Sequence, residues 1–311
     1  MRMEYMTDTK ILPDIDLGIT ERTGIFYGTG ASEGIPNPFC DCEMCNHARK
    51  YGGRNIRKRS CFRVGKDLMI DMGPDIFSQA LLYGSLRDIE HVLITHTHDD
   101  HFNFEALGLI MMATVHRHKP IHFYLTERAY DYIEELRNSP IAFGGDLRRM
   151  ESQGLYYFHL LSCFETYEIG RYKVTPVRGN HRGNMPDEKS ANYLIQLPDG
   201  KKLLYSLDTG LYSEETFEFL ENAGADIWVT ECTFGNLSPQ EEWSVHLCVE
   251  TLMEQTKRLD EKKALAPGCP VYVTHINHCH TAYHEKLQSL LDQTQGEHPF
   301  TVAYDGLHIE L

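Results

Sequence analysis

No run of apolar residues in this 311-residue chain approaches the roughly 18 that a membrane-crossing helix requires. No membrane-spanning helix is therefore expected. The first residues, Met-Arg-Met-Glu-Tyr-Met-Thr-Asp, lack an apolar signal core, which argues against secretion by that route. Positive charge is also scarce: 30 Lys and Arg stand against 45 Asp and Glu, a formal net charge of −15. A protein that grips long nucleic acid usually carries a basic face, so no such partner is expected. The only dense basic patch is Arg54-Asn-Ile-Arg57-Lys58-Arg59. It reads either as a solvated loop or as a small anion-binding lip near a site, and it is too short to track a polymer. The loop Thr29-Gly-Ala-Ser-Glu-Gly34 lacks the Gly-Lys-Ser/Thr that a phosphate cradle needs. There is no linker and no low-complexity tract. Nine cysteines is an odd number, and Cys61, Cys163, Cys232 and Cys248 stand singly within expected strands or helices. That suits reduced thiols in a cytoplasm better than a disulfide framework.

What the chain does have is concentrated in Thr95-His-Thr-His-Asp-Asp-His-Phe102. Three imidazoles and two carboxylates in so short a span repel one another when charged and waste burial when neutral. A metal ion removes both problems, because neutral imidazole and carboxylate are good ligands for zinc-like cations. Ile89 to Thr95 is apolar and β-branched and predicts a buried strand, and Asn103 to His116 has helical spacing. The cluster thus falls on a strand-to-helix loop at the carboxyl end of a strand, where α/β proteins place their sites. His96 and His98 can grip one ion. Asp100 and His101, on the turn into the helix, face a second point nearby.

The remaining pattern predicts strands and helices without a break into two units. Residues 1 to 22 read as an N-terminal extension, and 23 to 311 as one domain with a long Cys-bearing loop at 35 to 60. Strands are expected at 24–28, 121–125, 156–161, 172–177, 191–197, 202–207, 226–229, 271–274 and 300–304, and a hairpin at 63–70. Helices are expected at 76–83, 127–138, 213–222, 244–259 and 282–293. Meandering strands alternating with single helices suggest an α/β fold, with sheets inside and helices outside.

Three later residues each follow an expected strand: His181, Asp208 and His275. With His-x-His-x-Asp-His at 96–101 they make a set that resembles the metallo-β-lactamase superfamily, from about residue 24 to the end. The resemblance implies a four-layer αββα sandwich. It also implies one metal held by His96, His98, His181 and Asp208, and a second held by Asp100, His101, Asp208 and His275, with Asp208 bridging. Asp71, in Ile-Asp-Met-Gly, matches the residue that orients a ligand histidine in that family.

The segment Gly28-Thr-Gly-Ala-Ser-Glu-Gly-Ile-Pro36, followed by Cys40-Asp-Cys42-Glu-Met-Cys45, resembles the (PhnP-like) phosphodiesterases of the phosphonate-degradation pathway. Cys-x-Cys-x-x-Cys in a reduced compartment itself reads as a metal clip lacking one ligand. The resemblance implies a third, structural zinc there. His308 best matches the related fourth position, with His47, Cys279 and His280 as alternatives.

Two cations sharing Asp208 would share a water and lower its pKa, making a bridging hydroxide available near neutral pH. Glu231 and His246 resemble a pair in the superfamily's phosphodiesterase branch, in which the carboxylate orients an imidazole general acid. His278 reads as a weak contact for substrate phosphate. The leading expectation is a cytoplasmic binuclear hydrolase acting on a small or cyclic phosphodiester. The alternatives are a carboxylic ester, lactone, thioester or amide hydrolase, a tRNA 3′-processing nuclease, or a non-hydrolytic metal-binding protein. Zn, Mn and Fe all suit the His/Asp sites. Relatives of this kind are often dimers, which leaves a homodimer open.

Overall fold

The computed structural model describes residues 18–113, 119–138, 144–236, 245–279, 282–294 and 296–311. Two seven-stranded sheets face each other. In chain order the elements begin with β1 (Thr23–Gly28), α1 (Glu43–Tyr51), β2 (Cys61–Val64), β3 (Leu68–Ile70), α2 (Ile76–Tyr83), β4 (His91–Leu93) and α3 (Phe104–Ala113). They continue with β5 (Ile121–Thr126), α4 (Glu127–Asn138), α5 (Gly144–Ser152), β6 (Tyr156–Leu161), β7 (Tyr167–Ile169), β8 (Tyr172–Arg182), β9 (Lys189–Gln196) and β10 (Lys202–Ser206). The chain closes through α6 (Glu214–Phe219), β11 (Ile227–Glu231), α7 (Val249–Glu261), β12 (Val271–Thr274), α8 (His284–Leu291), β13 (Phe300–Val302) and β14 (His308–Glu310).

The first sheet runs β14-β1-β2-β3-β4-β5-β6 and the second β13-β12-β11-β10-β9-β8-β7. Strands β3 to β6 are mutually parallel, as are β10 to β13, and the remaining pairs are antiparallel. Parallel strands buried on both faces are largely apolar; Ile227–Glu231 is buried at all five positions, with its polar residues at the carboxyl end. Between the sheets pack Phe26, Phe62, Leu93, Val174, Tyr193 and Tyr205, among others. Outside the first sheet, Ile76, Leu107, Ile110 and Ile133 from α2, α3 and α4 cover Tyr27, Val92 and Phe123. Outside the second, Phe217, Leu252, Leu259 and Leu287 from α6, α7 and α8 cover Leu204, Trp228 and Val271. The order helix–sheet–sheet–helix is the expected αββα sandwich. No described helix is long and apolar enough to cross a membrane.

Several expected bounds shift. The strand expected at 172–177 runs on to Arg182, past a register shift between Arg178 and Arg182. His181 therefore lies inside β8 rather than after it. Gly144–Ser152 is a helix that the mixed sequence pattern hides. Helix α7 begins at Val249, so His246 precedes it by a short turn, with Cys248 at the N-cap.

Candidate metal centre

The carboxyl ends of β3, β4, β10, β11 and β12 all point to one rim of the sandwich, and each strand delivers a polar side chain there. Three of these residues, Asp71, Asp208 and His275, have φ of 64°, 47° and 57°. Left-handed backbone is costly for residues with a β-carbon and concentrates at functional sites. At each of the three the chain turns sharply as it leaves a strand, which aims the side chain across the rim. Gly73 permits a similar closeness: a β-carbon there would stand 2.1 Å from the Asp100 carbonyl oxygen.

The structure brings the ligand residues together as two groups sharing Asp208. The donor atoms of His96, His98, His181 and Asp208 lie within 4.8 Å of one another, as do those of Asp100, His101 and His275. His98 Nδ1 is 3.0 Å from His96 Nε2 and 3.2 Å from His181 Nε2. Asp208 Oδ2 lies 3.6 Å from His96 Nε2 and 3.8 Å from His181 Nε2. Its other oxygen, Oδ1, lies 2.9 Å from His275 Nε2 and 3.4 Å from His101 Nε2. Asp100 Oδ2 adds contacts of 3.1 Å to His101 Nε2 and 3.7 Å to His275 Nε2. One carboxylate thus turns one oxygen to each group, which is how a bridging ligand sits.

The fit to divalent cations follows from the chemistry of these donors. Despite these short distances, His101 Nε2, His275 Nε2 and Asp208 Oδ1 are buried and make no well-aligned hydrogen bond, a costly state unless something else satisfies them. Burial opposes a charge on His101 and His275, yet Asp208 and Asp100 outweigh it and raise both rings, His275 to about 10. In the other group burial lowers His96 and brings His181 down to about 4. His96 and His181 are therefore held as neutral imidazoles, and His101 and His275 hold positive charge that a cation can replace.

Neighbouring residues fix the rings. His101 Nδ1 donates to Asp71 Oδ2 at 2.7 Å, leaving Nε2 for the site. Asp71 is fully buried and also accepts from the Thr95 amide at 2.8 Å and the Thr95 hydroxyl at 3.0 Å. His275 Nδ1 lies 2.8 Å from Thr233 Oγ1, whose proton goes to Glu231. Buried Glu188 accepts from the Thr97 amide at 2.8 Å and hydroxyl at 2.6 Å, which pins the 96–98 loop to the β8–β9 connection. Sequence reasoning missed Thr95, Thr233 and Glu188. The one signal available for the two threonines was their position beside strand ends.

Glu231 closes β11 and is wholly buried. It accepts from the Thr209 amide at 2.6 Å and from His246 Nδ1 at 3.0 Å. His246 reaches over the donor set, with its ring 4.5 Å from that of His181 and 5.6 Å from that of His275. Burial opposes its protonation, but the charge and hydrogen bond of Glu231 prevail and raise its pKa. With Nδ1 committed to Glu231, Nε2 is the nitrogen that remains for other partners.

A separate cluster lies on the long loop and α1. Cys40, Cys42, Cys45 and His278 offer donor atoms within 4.8 Å of one another. His278 Nδ1 is 3.5 Å from Cys42 Sγ and 3.4 Å from Cys45 Sγ. Backbone N–H groups of Cys42 and Asn37 donate to Cys40 and Cys45 Sγ at 3.4 and 3.3 Å. This donor set suits a tetrahedral zinc. The expected fourth member differs: His308 is exposed on β14, and the structure puts His278 in its place. His278, expected as a contact for substrate phosphate, is buried with its ring against the thiols. His47 stacks on Tyr283 instead, and His280 lies outside the described residues.

The basic patch is not a lip. Arg57 is buried, donating to Thr29 Oγ1 at 2.8 Å, the Ala303 carbonyl at 2.6 Å and His284 Nδ1 at 3.1 Å. Arg59 pairs with Asp75 at 3.0 Å, Lys58 lies 3.8 Å from Asp305, and Arg54 covers the Tyr304 ring. The patch staples residues 54–59 to the C-terminal strands. Helices α4 and α5 pack against each other and against β5 and β6, and a cleft of about 540 Å³ is lined by residues 182–189.

Comparison with known proteins agrees with this geometry. A ribonuclease Z of Thermococcus onnurineus (strain NA1) is 28% identical over 277 aligned residues, covering 76% of this chain and 81% of that protein. An octanoyltransferase of Porphyromonas gingivalis (strain ATCC BAA-308 / W83) is 30% identical over 112 residues, 36% of this chain. The chain spans only 22% of that protein's length. Among solved structures, a diphosphatase from the PhnP family superposes with a TM-score of 0.69 at 21% identity, covering 93% of this chain and 97% of its own. Zn(2+)-bound PqqB from Methylobacterium extorquens gives a TM-score of 0.67 at 20% identity, with 93% and 100% coverage. These two likenesses show the shared fold. The family model described as the beta-lactamase superfamily domain matches residues 66–267. On that match, and on the αββα sandwich that carries the paired donor set, this chain belongs to the beta-lactamase superfamily domain family.

Proposed function

We propose that the chain is a binuclear metal-dependent phosphodiesterase acting on a small phosphodiester. The observation that carries this reading is the Glu231–His246 pair, 3.0 Å apart, beside the donor set. His96, His98, His181, Asp208, Asp100, His101 and His275 would hold two divalent ions, which when bound would supply Lewis acidity and an activated water. Hydrolysis of a phosphodiester also requires a proton for the leaving oxygen, and His246 is placed to give it. Glu231 keeps the ring protonated and oriented, with Nε2 as the donating atom. Asp71 and Thr233 hold His101 and His275 in the tautomer that directs Nε2 inward. Cys40, Cys42, Cys45 and His278 hold a structural zinc, and free cysteines throughout the described chain fit a reducing compartment.

The test is turnover of bis(p-nitrophenyl) phosphate, 2′,3′-cyclic nucleotides and lactones by zinc- and manganese-loaded protein. Turnover of 2′,3′-cyclic nucleotides that His246→Ala removes, with bis(p-nitrophenyl) phosphate turnover much less affected, supports the reading, and lactone turnover alone sinks it. The similarity to ribonuclease Z favours a second reading, a tRNA 3′-processing nuclease. The net charge of −15 weighs against it, and cleavage of a tRNA precursor in preference to the small diesters would decide for it.

A further inference from the structure

The cysteine cluster contains one sulfur more than a tetrahedral ion needs. Cys279 Sγ lies 3.3 Å from both His278 ring nitrogens, against the ring whose donor atom groups with Cys40, Cys42 and Cys45. Cys279 is exposed, Cys40 and Cys42 are half-buried, and Cys45 is buried. The Cys40–Cys279 edge of the cluster is thus the side open to a small solute.

We propose that Cys40 and Cys279 form an oxidation-sensitive pair that opens this cluster in response to a hydroperoxide. The Cys40 sulfur attacks the terminal peroxide oxygen, so an S–O bond forms, the O–O bond breaks and an alcohol (water, for hydrogen peroxide) departs. Cys279 then attacks the Cys40 sulfenic sulfur. The S–S bond forms, the S–O bond breaks, and the hydroxide leaves as water with the Cys279 proton. Two thiols are oxidised by two electrons, and one hydroperoxide is reduced. Cys42, Cys45 and His278 are left as three donors, and His278 loses its fixed position.

The consequence reaches the other donor set through the chain itself. His278 and His275 lie on the same loop after β12. Between them, the Ile276 amide donates to the Thr29 carbonyl at 2.9 Å and the Asn277 side chain to Glu33 at 2.5 Å. Residues 29–33 lead directly into the cysteine loop. A cluster that opens at His278 therefore loosens the backbone that aims His275 at Asp208, so oxidation lowers hydrolysis without touching a catalytic group.

The experiment treats zinc-loaded full-length chain with hydrogen peroxide, follows zinc release with a chromogenic chelator and maps peptides without reduction. A Cys40–Cys279 linked peptide, released zinc, and recovery on adding dithiothreitol and zinc are expected. Cys279→Ser, with Cys279→Ala as a second variant, should bind as much zinc as the parent before oxidation. Each should release it about fivefold or more slowly during oxidation. Linkage confined to Cys40–Cys42 or Cys42–Cys45, equal release rates, or a lower starting zinc content in both variants would overturn the proposal. Zinc and peptide readouts need no substrate, so the result is separable from the fate of the phosphodiesterase reading.

Discussion

The Thr233 hydroxyl stands between His275 and Glu231, 2.8 Å from His275 Nδ1 and donating to the carboxylate. One hydroxyl thereby links a donor imidazole to the group that also holds His246. Thr233→Val keeps the shape and removes the acceptor. Affinity for the second metal should fall about 10- to 100-fold, read by competitive chelation, and Thr233→Ser should restore it. Unchanged affinity in the valine variant would remove Thr233 from this role.

Gly73 sets the approach of β3's exit to the His-Asp loop, since a β-carbon at this position would stand 2.1 Å from the Asp100 carbonyl oxygen. Gly73→Ala must push that carbonyl away. We expect a stability loss of about 1–3 kcal/mol, measured by denaturant unfolding, together with weaker binding of the second ion. A stable variant with full metal content would show that the loop yields freely.

Glu231 raises the His246 pKa, so the rate should fall as pH rises through that raised value. Glu231→Gln removes the charge, and the basic limb of kcat/KM should move to lower pH. His246→Ala should cost about 10²- to 10⁴-fold on alkyl phosphodiesters and much less on p-nitrophenyl esters, whose leaving group needs no proton. Equal losses on both substrates would place His246 outside proton transfer.

Burial and the Arg57 guanidinium hold the His284 pKa at about 4, while the unfolded ring titrates near 6.5. Between those values the unfolded chain takes up a proton that the folded chain refuses. Stability is thus full above about pH 6.5 and lost as pH falls toward 4. Asp305, raised by burial to about 6, slopes the other way. His284→Leu should flatten the acid limb of the stability curve by about 2 kcal/mol, measured by urea unfolding from pH 7 to 4. A parallel curve would disprove the linkage.

The parts of the molecule legible in the sequence are those encoded locally. His96 to His101 are dense enough to announce a cation site, and apolar runs such as Trp228–Val229 announce buried strands. What escaped depends on contacts across the chain. Cys42 meets His278 from 236 positions away, so four residues could compete for the last place in the cluster. Arg57 has the sequence context of a surface charge, and only the tertiary approach of Thr29, Ala303 and His284 encloses it. His181 is identifiable as a site residue, but the extension of β8 to reach it depends on pairing with β9. The α5 helix lies in a stretch whose polar residues mask its period.

Neither sheet owns a complete set of donors. His96 to His101 arrive with the first sheet, and Asp208, more than 100 residues later, arrives with the second. A chain still emerging from the ribosome can fold its first half and yet offer an ion only a partial grip. Firm metal capture must wait until both halves are made and docked, so a loaded centre marks a chain in which the two sheets have met. A half-made copy thereby lacks the complete donor set.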